Sequence, residues 1–186
     1  MPEIVVYIWR PSGDLVGHSS LQLSDGTYIS WWPEGDCGPS NPRAKAAPID
    51  SLENDIAEED DRQPHAYKIK VSNEEQNAIV RWWTAFKAKA DYNFIANNCS
   101  TVVFYAQEAA FPFISRLNDE IHVWVPEAIE MVAHDLSSGE RVFGQRRIDE
   151  IRKVAADEVT RIAKNGLMKA GSVAVVTVAS RFCNII

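Results

Sequence analysis

Cysteine is scarce in this chain, and its few cysteines form no recognisable disulfide or metal-binding pattern. Cys37, Cys99 and Cys183 are the three cysteines among 186 residues. An odd, low number does not make a disulfide framework, so we expect a reducing environment or a fold that does not depend on disulfides. Neither a CxxC nor an HxxxH pair occurs, and the sequence therefore predicts no bound metal and no cofactor.

Positive charge is also in short supply. Lys and Arg number 19 against 26 Asp and Glu, which gives a formal net charge of −7 and a pI of about 5.1. Proteins that bind phosphate backbones need clustered Lys and Arg. The composition therefore argues against nucleic acid as a partner.

The chain begins without a recognisable export signal. Its first residues, MPEIVVYIWRPSGD, have no basic region followed by a small-residue cleavage site. We therefore expect a cytoplasmic protein, or one that is exported without a recognisable signal peptide.

Long uncharged apolar runs are missing as well. The most apolar segment, residues 166–186, is interrupted by Lys169 and Arg181, so its uncharged run is short for a membrane span. A buried terminal helix or strand is the simpler interpretation. The alternative is a tail that associates with a membrane or a partner protein, and the final CNII also fits a loose prenylation pattern at Cys183.

What is present predicts an antiparallel, hairpin-rich sheet followed by helices. Residues 4–10 are rich in Ile, Val, Tyr and Trp, which is typical of a buried strand. Residues 15–23 and 27–32 flank the sequence SDG and predict a hairpin. Residues 66–71 alternate and predict a further strand. Together with the helices below, this pattern predicts the α+β class.

Four helices are expected in the second half of the chain. Ser72 and Glu75 form a capping box, Pro126 suits a first helical turn, and Gly166 suits a helix end. The predicted helices cover, approximately, residues 72–91, 99–111, 126–134 and 147–165. Residues 136–186 are interpreted as a helical C-terminal extension of a domain that covers residues 1–135.

A long irregular segment separates the hairpin from the next strand. Residues 33–64 contain several prolines and glycines and the acidic run ENDIAEEDD. A loop of this length in a compact domain is usually a lid, a binding loop or an insertion. The acidic run is interpreted as a solvated face.

Cys99 is the candidate nucleophile. It follows IANN and opens the helical pattern STVVFYAQEAA, which places its thiol among the unpaired N–H groups at the positive end of a helix. That environment lowers a thiol pKa. The alternative is that Cys99 is only a small buried residue.

His18 is the candidate base, because a nucleophile needs a base within hydrogen-bond reach. Gly17 before it allows another backbone to approach closely. Ser30 shares a face with His18 only if the turn places Leu23 opposite Thr27, whereas a strict two-residue turn puts Ser30 on the far face. The alternative is that His18 is an ordinary strand residue, either hydrogen-bonded to its neighbours or exposed on the surface.

The segments GHSSLQLSDGTYISWWP and YNFIANNCSTVVFYAQEAA together resemble the circularly permuted branch of the papain-like superfamily. That branch includes the permuted NlpC-type peptidases, the PPPDE deubiquitinase-like proteins and the lecithin:retinol acyltransferase-like proteins. In it the hairpin that bears the histidine precedes the helix that bears the cysteine. The matching positions here are His18, Asp25-Gly26, Ser30 and Asn98-Cys99.

The resemblance implies a permuted papain-like, NlpC-type catalytic core and acyl transfer through a thioester. Cys99 and His18 are the catalytic pair, with Ser30 as the third polar residue. Where acyltransferase-like members usually carry another histidine, Ser30 adds no charge to orient the base, which tilts the prediction away from lipid substrates. The segment around Asn98, and the two tryptophans that follow Ser30, are the expected substrate-binding residues; ordinary packing is the alternative for Trp31 and Trp32.

The function expected from these features is a cysteine hydrolase of the thiol peptidase or amidase type, acting on a peptide or another amide. A bacterial effector or a cell-wall hydrolase would fit. The first alternative is a phospholipase or lipid acyltransferase of the lecithin:retinol acyltransferase-like type. The second is a non-catalytic binding module on the same fold.

Overall fold

The structure is a computed structural model that describes residues 1–13 and 15–169. Its strands are β1 (Glu3–Trp9), β2 (His18–Leu23), β3 (Tyr28–Ile29), β4 (Trp32–Pro33), β5 (Arg43–Ala44), β6 (Ala46–Ala47), β7 (His65–Lys70) and β8 (Tyr92–Asn93). Its helices are α1 (Leu52–Glu58), α2 (Asn73–Lys87), α3 (Cys99–Ala110), α4 (Ser115–Glu120), α5 (Pro126–Ser137) and α6 (Gln145–Lys169), with a 3₁₀ turn at Pro112–Ile114. The predicted α+β class is confirmed.

The main sheet has four antiparallel strands in the order β3-β2-β1-β7. Ile4, Val6 and Ile8 on β1 are fully buried and alternate with less buried residues, as expected for a strand with one face on the core. The neighbouring Leu21 and Ile29 face the same core. His18, Ser20 and Gln22 alternate with these residues and therefore fall on the opposite face of the sheet, whereas Ser19 shares the face of Leu21.

The hairpin register decides where Ser30 lies. Leu21 pairs with Ile29, and the N–H of Leu23 donates to the carbonyl oxygen of Thr27 at 2.9 Å. Leu23 therefore lies opposite Thr27, so the connection is not a strict two-residue turn. This register places Ser30 on the face of His18.

Gly17 immediately precedes His18, the first residue of β2. Its φ is +77°, in the region that favours glycine. A Cβ at this position would lie 2.3 Å from the carbonyl oxygen of Trp9 and 2.9 Å from the nitrogen of Pro11. The expected close approach of another backbone is therefore confirmed.

Gly17→Ala is expected to lower the free energy of unfolding by more than about 2 kcal/mol, because it adds a backbone overlap to an unfavourable φ. Gly35→Ala is the matched control: Gly35 has a φ of +81° but open space around its Cβ position, so we expect a loss of only about 1 kcal/mol. Chemical denaturation of both variants measures the difference. Equal losses would contradict the role given to the close contact.

Helices α3 and α5 pack against the sheet. α3 contacts α2, α5 and β2, and α5 contacts β1, β7 and α6. Phe104 of α3 and Trp124 stack with ring centroids 3.9 Å apart. Ile148 and Ile151 of α6 belong to the same hydrophobic core as the sheet residues, and the predicted domain boundary at residue 135 falls inside α5.

Several predicted bounds need correction. The helix expected over residues 72–91 ends at Lys87, because Asn93 pairs with Arg43 and draws the chain out of the helix; its predicted capping box is confirmed. α6 continues through Gly166, since one glycine costs a helix only about 1 kcal/mol. The segment predicted as irregular over residues 33–64 contains the helix α1 and short strands.

No helix in the described part of the chain combines the length and the hydropathy that crossing a bilayer requires. Cys183 and the predicted tail from residue 170 onward lie outside the described residues.

Candidate active site

Cys99 is the first residue of α3, and Asn98 holds the chain in place there. The Asn98 side chain accepts a hydrogen bond from the N–H of Thr101 at 2.8 Å and caps the helix. Its amide group also donates to the carbonyl oxygens of Phe94 and Trp124, each at 3.0 Å. These bonds fix the N-terminus of α3, where the first N–H groups have no partner within the helix.

A buried pair of hydroxyl groups fastens α3 to β2. The Oγ atoms of Ser19 and Ser100 lie 3.1 Å apart, and both residues are buried. Since Ser19 follows His18 and Ser100 follows Cys99, this bond sets the two candidate catalytic residues beside each other. Cys99 itself is partly exposed, as a reactive thiol must be.

His18 is held on three sides. Its ring stacks on Trp32 with centroids 4.3 Å apart and also contacts Trp9. Its Nε2 lies 3.0 Å from Ser30 Oγ. With the ring only 1% exposed, the imidazole has one fixed orientation.

Asp55 of α1 lies behind this pair, fully buried. Its carboxylate accepts hydrogen bonds from Ser30 Oγ at 2.7 Å, Tyr28 Oη at 2.7 Å and Trp32 Nε1 at 2.8 Å. His18 Nε2 is 3.4 Å from the nearer carboxylate oxygen. Donors therefore surround the carboxylate, and its charge is balanced by the imidazole.

These contacts fix the direction of the hydrogen bonds around the histidine. Because Ser30 Oγ donates its proton to Asp55, it accepts from His18 Nε2. Nε2 is then the protonated nitrogen, and Nδ1 is the ring nitrogen that remains for Cys99. The chain of contacts runs from Asp55 through Ser30 and His18 to the thiol.

The charges of the site shift its pKa values in a consistent direction. Burial by itself raises the pKa of the Cys99 thiol, but the charge of His18, a hydrogen bond with its ring, the N–H of Ser19 and the Ser100 hydroxyl bring it below its usual range. Burial by itself lowers the pKa of His18, yet the Cys99 thiolate and Asp55 raise it above its usual range. At Asp55, burial raises the pKa, but the charge of His18 and the hydrogen bonds from His18, Tyr28 and Ser30 outweigh it and lower the pKa to about 2. These directions favour the thiolate form of Cys99 and the imidazolium form of His18.

The sequence analysis missed Asp55, and its interpretation of the acidic run as a solvated face was wrong there. Asp55 is fully buried, and Glu59 is 4% exposed beside Arg62. A helical pattern could have revealed this: Leu52, Asp55, Ile56 and Glu59 share one face of α1, with Ser51 as its N-cap. An acidic residue between two apolar residues on one helical face is a candidate for burial.

An apolar pocket opens beside Cys99. Tyr92, Phe94 and Ile95, before α3, line one side, and residues 123–126, before and at the start of α5, line another. Val16 and Pro39 contribute from the hairpin and from the long segment after it. Within the described part of the chain, no charged side chain lines this pocket.

The two tryptophans expected to bind substrate occupy different places. Trp31 is 1% exposed and packs edge-on against Trp83 and Phe86 in the core, away from the pocket. Trp32 lies on the opposite face, stacked on His18 and bonded to Asp55. Asn98, by contrast, lines the pocket.

The remaining histidines and the second described thiol lie elsewhere. His65, His122 and His134 are exposed, and His65 begins β7. Cys37 packs against the core, and burial raises the pKa of its thiol. Cys99 and Cys37 therefore differ in the direction of their pKa shifts.

Comparison with known families gives one partial match. Residues 46–129 match the family model described as the Lnb N-terminal periplasmic domain. This segment includes Asp55, Asn98 and Cys99 but not His18 or Ser30, and it covers less than half of the chain. No curated protein and no solved structure matches the chain.

Proposed function

We propose that this protein is a cysteine-nucleophile hydrolase built on a circularly permuted papain-like core. It cleaves an amide bond through a thioester acyl-enzyme, with Cys99 as the nucleophile and His18 as the base. The observation that carries the proposal is the arrangement of Cys99 at the first turn of α3, fastened to the His18 strand through Ser19 and Ser100, with the His18 ring held by Ser30 and by the buried carboxylate of Asp55. The directions of the pKa shifts of Cys99 and His18 support the same pairing. A thiol that served only to fill the core would need none of these partners.

Each step of the reaction has a residue to perform it. The Cys99 thiolate attacks the substrate carbonyl carbon, and the N–H groups at the first turn of α3 stabilise the oxyanion. His18 then gives its proton to the leaving amine as the C–N bond breaks, which leaves the acyl group on sulfur. Water, deprotonated by His18, attacks the thioester and releases the carboxylic acid and the thiol.

Asp55 is a positioning residue in this scheme. Through Ser30 it fixes which ring nitrogen of His18 carries a proton, and its charge favours the imidazolium form. Ser30 alone adds no charge, so the buried carboxylate supplies what the serine lacks. Asp55, acting through Ser30, thus orients and charges the histidine as the acid does in an acid–histidine–nucleophile triad.

A lipid acyl hydrolase or acyltransferase is the second candidate, because uncharged side chains line the pocket beside Cys99. An ester of a fatty acid would fit such a lining as well as an amide with an apolar acyl part. The description of the matched family favours an exported protein whose substrate lies outside the cytoplasm.

An acyl-trapping experiment tests the proposal. The protein is mixed with p-nitrophenyl butyrate and digested, and the Cys99 peptide is expected to gain one butyryl group that hydroxylamine removes. Cys37→Ser is the control that retains acylation, and Cys99→Ala abolishes it. Peptide coumarin amides and phosphatidylcholine vesicles then separate the two candidates by the bond that is cleaved. Absence of acyl-Cys99 with any ester would overturn the proposal in favour of a binding module.

A further inference from the structure

The pocket beside Cys99 has a wall that the predicted catalytic core does not supply. Val159, Ile162 and Ala163 of α6 line it, together with residues that precede α3 and α5. These three positions recur at the spacing of one helical face. The C-terminal helix, expected from the sequence to be an extension, therefore takes part in forming the pocket.

The lining identifies what kind of group the pocket accepts. Phe94, Ile95 and Val125 face the same space as the α6 residues. The polar side-chain groups among the described lining residues belong to Tyr92, Asn98, Cys99, Ser100 and Trp124, and the Trp124 indole N–H donates to Asn118. The amide group of Asn98 donates to two backbone carbonyls, and the hydroxyl of Ser100 is hydrogen-bonded to that of Ser19. A charged group placed here would lose its hydration without gaining a charged side chain of opposite sign as a partner.

We propose that this pocket binds the acyl part of the substrate, that this part is uncharged and apolar, and that Val159, Ile162 and Ala163 limit its length. That the bound group is an acyl group rests on the proposed function, in which the Sγ atom of Cys99, a residue that lines the pocket, carries the acyl group. An apolar ligand gains about 0.8 kcal/mol for each buried CH₂ group. Longer acyl chains should therefore react faster until they meet α6.

Acylation rates with a series of p-nitrophenyl esters test this inference. We expect the octanoate to acylate Cys99 at least about tenfold faster than the acetate, and the negatively charged succinate to be the slowest. Ala163→Leu fills the pocket without adding charge and should reduce the octanoate rate about tenfold, with the acetate rate changed less than about twofold. Ile162→Asp should act in the same direction.

Matched controls come from the outer face of the same helix. Thr160 and Lys164 are exposed, so Thr160→Ala and Lys164→Ala should leave all rates unchanged. Alkylation by iodoacetamide, which is too small to need the pocket, should stay normal in Ala163→Leu and shows that the Cys99–His18 pair is intact.

Two results separate failure of this inference from failure of the proposed function. If acyl-Cys99 forms but its rate depends on neither chain length, charge nor the α6 variants, the pocket assignment is wrong and the hydrolase survives. If no ester acylates Cys99, the comparison is made with iodoacetamide and N-octyl iodoacetamide. Faster alkylation by the octyl reagent that Ala163→Leu removes would keep the apolar pocket and discard the hydrolase, and equal rates would overturn the pocket as well.

Discussion

Replacing His18 by alanine is expected to slow the alkylation of Cys99 at pH 6 by on the order of 100-fold, because the pKa of the thiol rises when the charge of His18 is removed. The charge of His18 is what offsets the burial of the thiol in the folded protein. Without it, burial is opposed only by the N–H of Ser19 and the Ser100 hydroxyl, and the thiolate fraction at pH 6 falls. At pH values well above the raised thiol pKa of the variant, the variant and the wild type should react at similar rates.

The control for this prediction is His134→Ala, which removes an exposed histidine in the last turn of α5 and should change nothing. His18→Gln keeps a hydrogen-bonding side chain of similar size without the charge, and should lose the low-pH reactivity as the alanine variant does. Unfolding curves of both variants show whether the fold is intact. A Cys99 rate at pH 6 that survives in both folded variants would contradict the ion pair.

Asp55→Ala is expected to be the most destabilising single change at the site, with a loss of about 3–5 kcal/mol in the free energy of unfolding. The carboxylate is fully buried and accepts hydrogen bonds from Tyr28, Ser30 and Trp32. Its removal leaves these donors unpaired and the imidazolium of His18 without its counter-charge. Denaturant titration measures the loss.

Asp55→Asn separates charge from packing. It keeps the shape of the side chain but removes the charge that raises the pKa of His18, so Cys99 alkylation at pH 6 should slow by roughly 10- to 100-fold. Ser30→Ala, which breaks the contact but leaves the charge, should have a smaller effect. The control is Glu58→Gln, an exposed residue on the same helix; an equal effect of Glu58→Gln would contradict the role of Asp55.

The same carboxylate predicts a pH dependence of stability. Its pKa is lowered in the folded protein from 3.8 to about 2, so its contribution is fully present above pH 3.8 and is lost as the pH falls through about 2. In Asp55→Asn the unfolding free energy should therefore depend less on pH between 4 and 2 than in the wild type. Parallel curves for the two proteins would show that Asp55 is not ionised in the network.

Local signals predicted much of the fold. The capping box at Ser72 and the proline at Pro126 act within one turn of their own helices, and both helices begin where these signals indicate. The position of Cys99 at the start of α3 followed from the apolar spacing after it. The hairpin left two registers open, since the SDG sequence suits both, and hydrogen bonding between Leu23 and Thr27 decides between them.

Long-range contacts account for what sequence patterns missed. Asp55 lies 37 residues after His18 in the numbering, inside an acidic run whose composition suggested a solvated surface, and only the folded arrangement brings its carboxylate to the hairpin. The role of α6 was equally hidden, because nothing in its pattern indicates that Ile162 faces the pocket. Trp31 and Trp32 are adjacent in sequence, yet strand alternation sends one to the core and the other to His18.

The pH dependence of alkylation at Cys99, measured by mass spectrometry in the intact wild-type chain, tests the central claim most directly. Cys37 is the internal control, because its pKa is raised by burial whereas that of Cys99 is lowered by His18. We expect the Cys99 rate to fall much less steeply from pH 8 to pH 6 than the Cys37 rate, which should fall about tenfold for each pH unit. A Cys99 rate that falls in parallel with Cys37 would contradict the thiolate–imidazolium pair, and with it the proposed hydrolase.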